Sequence, residues 1–440
     1  MPLAAFLDRF RRFRRSRRFR PSRPAARLVA GLLTTIVAAV GTSPARAERD
    51  DALLAAARDE QPAVLAVLRE MVLIESGSQD VEGLHRMADL VAGRLQALGF
   101  TIERRPARPG VGADIVIATL KGQGRRSLMM QAHMDTIYPR GTLASQPYRV
   151  DGDRVYGPGI ADDKGGIAVI LGALRVLLAS GWRDFDTLTV LVNPDEETGS
   201  RGSGDLIAET AERHDAVLSF EPTAARSVAK AEAVLLGTAG IAKATLTVKG
   251  RAAHAGAAPQ LGRNALYELS YQMLQTRDIA HDIPGAQLNW TVAHADGPLN
   301  QIPAVARAEA DIRITVPGAD ERLAGALREK VASGKLIADT ESTIDIEIGR
   351  PPFVAGERGR ALAERAQAIY REIDRELLLV PMTGGGTDAA FAARSGKPAV
   401  LESFGLAGFG FHARDEYIEI DSIVPRLYLA ARLLTELGRQ

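Results

Sequence analysis

The chain has 440 residues and no cysteine. That excludes disulfides and thiolate ligands, so any metal site must draw on histidine and carboxylate. No internal repeat and no low-complexity tract follows residue 48. The longest apolar run near the N-terminus, LVAGLLTTIVAAV at 28–40, is about 13 residues, short of the ~20 that a spanning helix needs. Clustered Lys and Arg, the footprint of a nucleic-acid binder, are missing once the first 47 residues are set aside. Those residues carry eleven Arg against one Asp, while the whole chain is at +1, so the remainder is at about −9.

What is present begins with a leader. RRFRRSRRFRPSR precedes the apolar run, and SPARA follows it. This is the n-region, h-region and small-residue order of a secretory signal peptide, with cleavage expected after Ala47. The SRRF at 16–19 is also compatible with a twin-arginine signal, although an Arg-rich leader produces that pattern by chance. The alternative is a retained membrane anchor. The expected location is therefore outside the cytoplasm, periplasmic or secreted.

Beyond the leader, apolar content of 46% and charged content of 25% are those of an ordinary globular protein. Two helical segments open it, and strand-length apolar runs follow: ADIVIATL (113–120), SLMMQAH (127–133), TLTVLVN (187–193) and AVLSF (216–220). The long apolar helix GGIAVILGALRVLLAS (165–180) lies between two of them. Strands alternating with helices predict an α/β domain with a mostly parallel central sheet. Residues 239–350 read instead as β-α-β-β-α-β, a ferredoxin-like split βαβ unit. The expected organisation is a leader at 1–47, a first domain at 48–238 that resumes at 351–440, and an inserted domain at 239–350.

The chemistry-bearing residues fall where strands end, the place where open α/β sheets bind ligands. SLMMQAH runs into His133 and Asp135, TLTVLVN into Glu196 and Glu197, and AVLSF into Glu221. GPGIADDKGG (157–166) sets Asp162 beside Asp163 among four glycines, and GLAGFGFH ends on His412. Two adjacent carboxylates need something positive nearby: a lysine, a helix N-terminus or a metal. A pair of dications sharing one carboxylate would suffice. Taken singly, each segment is an ordinary turn or acidic loop; their joint occurrence at strand ends is what points to metal. His85, His214, His281 and His294 have no ligand-like company and are expected to be surface or structural.

Together with AHAGAAPQLGRNAL, LNQIPA, ADIR, GRPPF and TGGGTDAA, these segments resemble the di-zinc aminoacylase/carboxypeptidase metallopeptidases, in particular the bacterial glutamate carboxypeptidases, over essentially all of residues 50–440. The resemblance implies a zinc-peptidase-like catalytic domain with an inserted dimerisation or lid domain, a homodimer, and two Zn²⁺ per subunit. His133 and Glu221 would complete one site and Glu197 and His412 the other, with Asp162 bridging and followed by a cis peptide. Asp135 would orient His133, and Glu196 would be the general base on the water between the ions. His254 would supply an oxyanion donor from the partner subunit. Asn300, Arg313, Arg350, Gly385 and Gly386 would line the substrate pocket. The implied activity is release of a C-terminal glutamate from folates, N-acyl-glutamates or small peptides. An N-acyl amino acid deacylase or dipeptidase is the enzymatic alternative, and a metal-stabilised dimeric binding protein is the non-enzymatic one.

Overall fold

The computed structural model describes residues 49–107 and 111–439. The segment read as a leader lies outside the described residues. Along the first part of the chain run α1 (Asp51–Val72), α2 (Val81–Ala97), β1 (Thr101–Pro106), β2 (Asp114–Lys121), β3 (Ser127–His133), α3 (Lys164–Ala179), β4 (Thr187–Asn193) and β5 (Ala216–Ser219). Residues 240–350 supply β6 (Gly240–Lys249), α4 (Ala265–Thr276), β7 (Ala286–His294), β8 (Val305–Ile314), α5 (Ala319–Ser333) and β9 (Glu341–Arg350). The chain then forms α6 (Glu357–Glu372), β10 (Ala399–Leu401) and α7 (Ile423–Gly438).

The main sheet has the order β1-β2-β4-β3-β5-β10. Its inner pairings, β4/β3, β3/β5 and β5/β10, are parallel. β3 and β4 are buried on both faces after their first residue, as apolar strands sandwiched between helix layers must be. One edge differs from expectation: β2 runs antiparallel to β4, and β1 antiparallel to β2. The sequence TIERRP of β1 is charged and exposed, which suits an edge strand and hides it from a search for apolar runs.

Local chemistry starts the helices. Asp50 and Asp80 cap α1 and α2, each carboxylate accepting a backbone N–H three residues on, from Leu53 and Gly83. α3 is buried along most of its length because α1 and α7 pack over it. Its N-terminus lies just after Asp162 and Asp163, whose shared peptide bond is cis.

In residues 240–350 the sheet order is β7-β8-β6-β9, antiparallel throughout. β6 alternates buried and half-buried residues along GIAKATLTVK, so one face packs beneath α4 and α5. That segment has its own apolar clusters, separate from the core around the six-stranded sheet. Among the described residues no helix is long and apolar enough to cross a membrane.

Candidate metal centre

The C-terminal ends of β3, β4 and β5 deliver His133, the Glu196–Glu197 pair and Glu221 to one place, and the turn before α3 brings Asp162 to it. His133 is fully buried, with Nε2 3.0 Å from Asp162 Oδ1 and 3.6 Å from Glu221 Oε1. On the other side His412 Nε2 lies 3.0 Å from Glu197 Oε2 and 3.4 Å from Asp162 Oδ2. Two donor triads thus share Asp162, one oxygen facing each histidine. The donors are imidazole nitrogen and carboxylate oxygen, a set that fits a pair of borderline dications.

The electrostatics agree. Burial alone would lower the His133 pKa, but the charges and hydrogen bonds of Glu221, Asp135 and Asp162 outweigh it and push it well above the usual imidazole value. Hydrogen bonds to Asp162 and Glu197 raise His412 to about 10. Burial raises Glu197 and Glu221. Such a cluster attracts positive charge, as a cation site does.

The adjacent aspartate turns away. Asp163 is fully buried, and its Oδ2 accepts the His133 N–H at 3.2 Å. Lys164 does not pair with either aspartate; its ammonium donates to the carbonyls of Ile74 and Pro158 at 3.1 and 3.2 Å, and burial lowers it to about 8. The glycines matter at two positions here. Gly159 sits at φ +67° against Thr136, and a side chain at Gly166 would overlap Asp163 and the Phe220 carbonyl. Glu416, which the sequence did not single out, accepts the N–H groups of Gly159, Ala161 and Asp162 at 2.8–3.0 Å and shapes this turn. It follows Asp415 in a loop, with no signal beyond its neighbourhood to His412.

Asp135 organises the other half. Its carboxylate accepts the N–H of Glu196 at 3.0 Å and of Glu197 at 3.1 Å, takes the Ser78 hydroxyl at 2.8 Å, and lies 3.3 Å from His133 Nδ1. One buried residue therefore holds the turn that carries both glutamates with its carboxylate and meets His133 Nδ1 with both that carboxylate and, at 3.1 Å, its backbone carbonyl.

Glu196 opens onto a cavity of about 480 Å³ that also touches Asp162, Glu197, Glu221, His412, Arg313, Arg350, Gly385 and Gly386. Arg350 lines this cavity, but most of its fork is taken up. The guanidinium is 3% exposed and already engaged: it pairs with Glu196 Oε1 and donates to the carbonyls of Glu196 and Gly386 and to the Ser200 hydroxyl. A charge so buried must be satisfied by the protein itself. Arg313 is bidentate on Asp311 at 2.9 and 3.0 Å, with Nη1 more loosely held, 3.3 Å from the Gly384 carbonyl. His254 and Asn300 lie together in residues 240–350, joined by the Ala255 N–H to Asn300 carbonyl bond at 2.8 Å, and neither lines this cavity. His214 is structural as expected, its ring held between the Thr210 carbonyl and the Thr189 hydroxyl.

Residues 129–436 match the family model described as Peptidase family M20/M25/M40. The chain belongs to this family. It is 46% identical over 413 residues to carboxypeptidase G2 of Pseudomonas sp. (strain RS-16), covering 93% of this chain and 97% of that protein. It is 28% identical over 359 residues to a succinyl-diaminopimelate desuccinylase of Gluconobacter oxydans, covering 78% of this chain and 90% of the other. Among solved structures, an M20 family metallo-carboxypeptidase from Sulfolobus solfataricus superposes with a TM-score of 0.70 at 17% identity, over 86% of this chain and 98% of that one. The α/β fold with its inserted four-stranded unit is thus that of M20 peptidases, and the paired His/carboxylate triads stand where a metal-dependent hydrolase needs them.

Proposed function

We propose that this M20 chain is a di-zinc carboxypeptidase that releases a C-terminal glutamate from folates, N-acyl-glutamates or small peptides. The observation that carries the reading is one cavity lined by Asp162, Glu197, Glu221 and His412 of the two triads, by the buried Glu196 beside them, and by anion-binding groups. Arg313 faces it, and among the described residues no acceptor takes the N–H of Gly385 or Gly386. Such groups suit the carboxylates of a terminal glutamate. The 46% identity to carboxypeptidase G2 supports the same choice.

His133, Glu221, Glu197 and His412 would hold the ions, with Asp162 between them. Bound there, the ions supply an acidified water and a polarised carbonyl. Glu196 would take a proton from the attacking water and return it to the leaving amine. Arg350 holds Oε1 of Glu196, and among the described residues no donor takes Oε2, which is left to carry the proton. Burial raises the Glu196 pKa while Arg350 opposes the rise, a balance that suits a group taking and giving a proton.

We also place His254 in a neighbouring subunit's site. Its Nδ1 accepts the N–H of Gly256 and Ala257 at 3.2 and 3.1 Å, so the neutral ring carries its proton on Nε2, as an oxyanion donor must. Support for a homodimer comes from β7, an edge strand, and from the exposed Tyr267 and Leu274 on α4. The signal-peptide-like order of the leader supports a periplasmic or secreted location for the mature protein.

The likeness to a desuccinylase keeps an N-acyl amino acid deacylase or dipeptidase as the second reading. A panel of N-acyl-glutamates, other N-acyl amino acids, dipeptides and N-succinyl-diaminopimelate, assayed with and without chelator, separates them. Chelator-sensitive turnover is expected to be at least about tenfold better on the glutamates, the discrimination that charged recognition supplies. Preference for another class would move the assignment.

A further inference from the structure

A second cavity, of about 600 Å³, lies beside the first. The two share Glu197, one of the metal-site carboxylates. It is formed where residues 136–140, following β3, run along residues 77–82 at the start of α2. The walls are tied together. Thr136 N–H donates to Ser76, Ser78 N–H donates back to Thr136, both at 3.0 Å, and the Tyr138 hydroxyl reaches the Ala413 carbonyl next to His412 at 2.8 Å. Gly77 is packed so closely on the Tyr138 carbonyl that no side chain fits there.

The chemistry of this cavity is the reverse of the first. Its cation, Arg140, is spent: Nε donates to Asp80 at 2.8 Å and Nη2 to Glu82 at 2.9 Å. With Asp80, Glu82 and Glu197 around it, the space is acidic and repels a carboxylate. Ser78 already donates to Asp135. What remains to touch a ligand is uncharged: the aliphatic Val81 and Ile137, each 42% exposed, and Pro139, with the exposed Gln79 and Thr198 beside them. Exposed aliphatic side chains in a preformed concavity of this size are a binding surface for an uncharged, flat or bulky group.

An amide hydrolysed at the shared centre has an amine side and an acyl side. The amine side, with its carboxylates, fits the first cavity. We propose that the second cavity receives the acyl side and selects an uncharged aromatic or bulky apolar acyl group over a small or anionic one. This rests on the reading that glutamate occupies the first cavity.

The test compares two substrates that share their glutamate, an aromatic one (4-aminobenzoyl-glutamate) and N-acetyl-glutamate, on the metal-loaded protein. The variants are Ile137→Asp and, as a milder probe, Ile137→Ala. Ile137 is exposed, so folding is not at stake. The ratio of kcat/KM for the aromatic over the acetyl substrate is expected to favour the aromatic in the wild type. It should fall about tenfold in Ile137→Asp and less in Ile137→Ala, the scale on which a hydrophobic pocket discriminates. An unchanged ratio in both variants, with glutamate still released, overturns the acyl site alone. A wild type that releases glutamate from neither substrate overturns the acyl site together with the reading beneath it.

Discussion

Asp135 is the residue on which most of the centre converges. It is fully buried, yet it never needs to touch a metal: its carboxylate holds, through two backbone N–H groups, the turn bearing Glu196 and Glu197, and shares the His133 ring with its own backbone carbonyl. Asp135→Asn keeps the shape but presents an NH2 group where at least one N–H must be accepted. Metal affinity is expected to fall about 10- to 100-fold, the range for partners of metal ligands, with folding retained; a metal titration followed by melting measures both. Wild-type affinity would show that the loop is held by other means. The ligands themselves were legible because histidine and carboxylate at several strand ends form a pattern within the sequence. Arg350 was legible as an arginine near a strand end but not as the partner of Glu196, because that contact joins residues 154 positions apart. Glu416 left no trace at all, since a single acid that accepts three backbone N–H groups looks like any loop glutamate.

The elements were readable where apolar periodicity is long and hidden where it is short. α3, β3, β4 and the six main elements of residues 240–350 each show their burial pattern in the residue order. The small sheet that includes Arg149–Asp151, Ala407–Phe409 and Tyr417–Glu419 did not, because three residues carry no period. At this scale α2 gives a pH test. Asp80 caps the helix, and its hydrogen bonds from Arg140 hold its pKa below the ordinary carboxylate value. A carboxyl lowered on folding stabilises above its unfolded pKa and loses that contribution as pH falls through its folded value. Asp80→Asn still caps but cannot pair with Arg140. Its Tm is therefore expected to lie below wild type at pH 7 by a few degrees and to converge with it as the pH falls through the lowered folded-state value of Asp80. Melting curves across that range check it; a gap that persists at low pH would assign the effect to the cap and not to the charge.

At the scale of the molecule, the central question is whether one chain completes its own site. His254 and Asn300 do not line the cavity that holds Glu196, while β7 and α4 leave an edge and an apolar face uncovered. If His254 acts across a two-fold interface, His254→Ala and Glu196→Gln are each inactive alone but complement when mixed and allowed to exchange. Half the dimers would be mixed, each with one intact site, so about a quarter of wild-type turnover should return. No recovery, with exchange verified, would put His254 to work within its own chain or outside the mechanism.

The most direct test of the whole account is Glu196→Gln with its metal counted. Wild type and variant are both expected to hold two dications per chain, because Glu196 is not among the donors of either triad. Glutamate release from a pteroyl-glutamate should be chelator-sensitive in the wild type and about 10²- to 10⁴-fold slower in the variant, the span general-base catalysis covers. A Glu196→Gln protein that releases glutamate at the wild-type rate with both ions bound would contradict it.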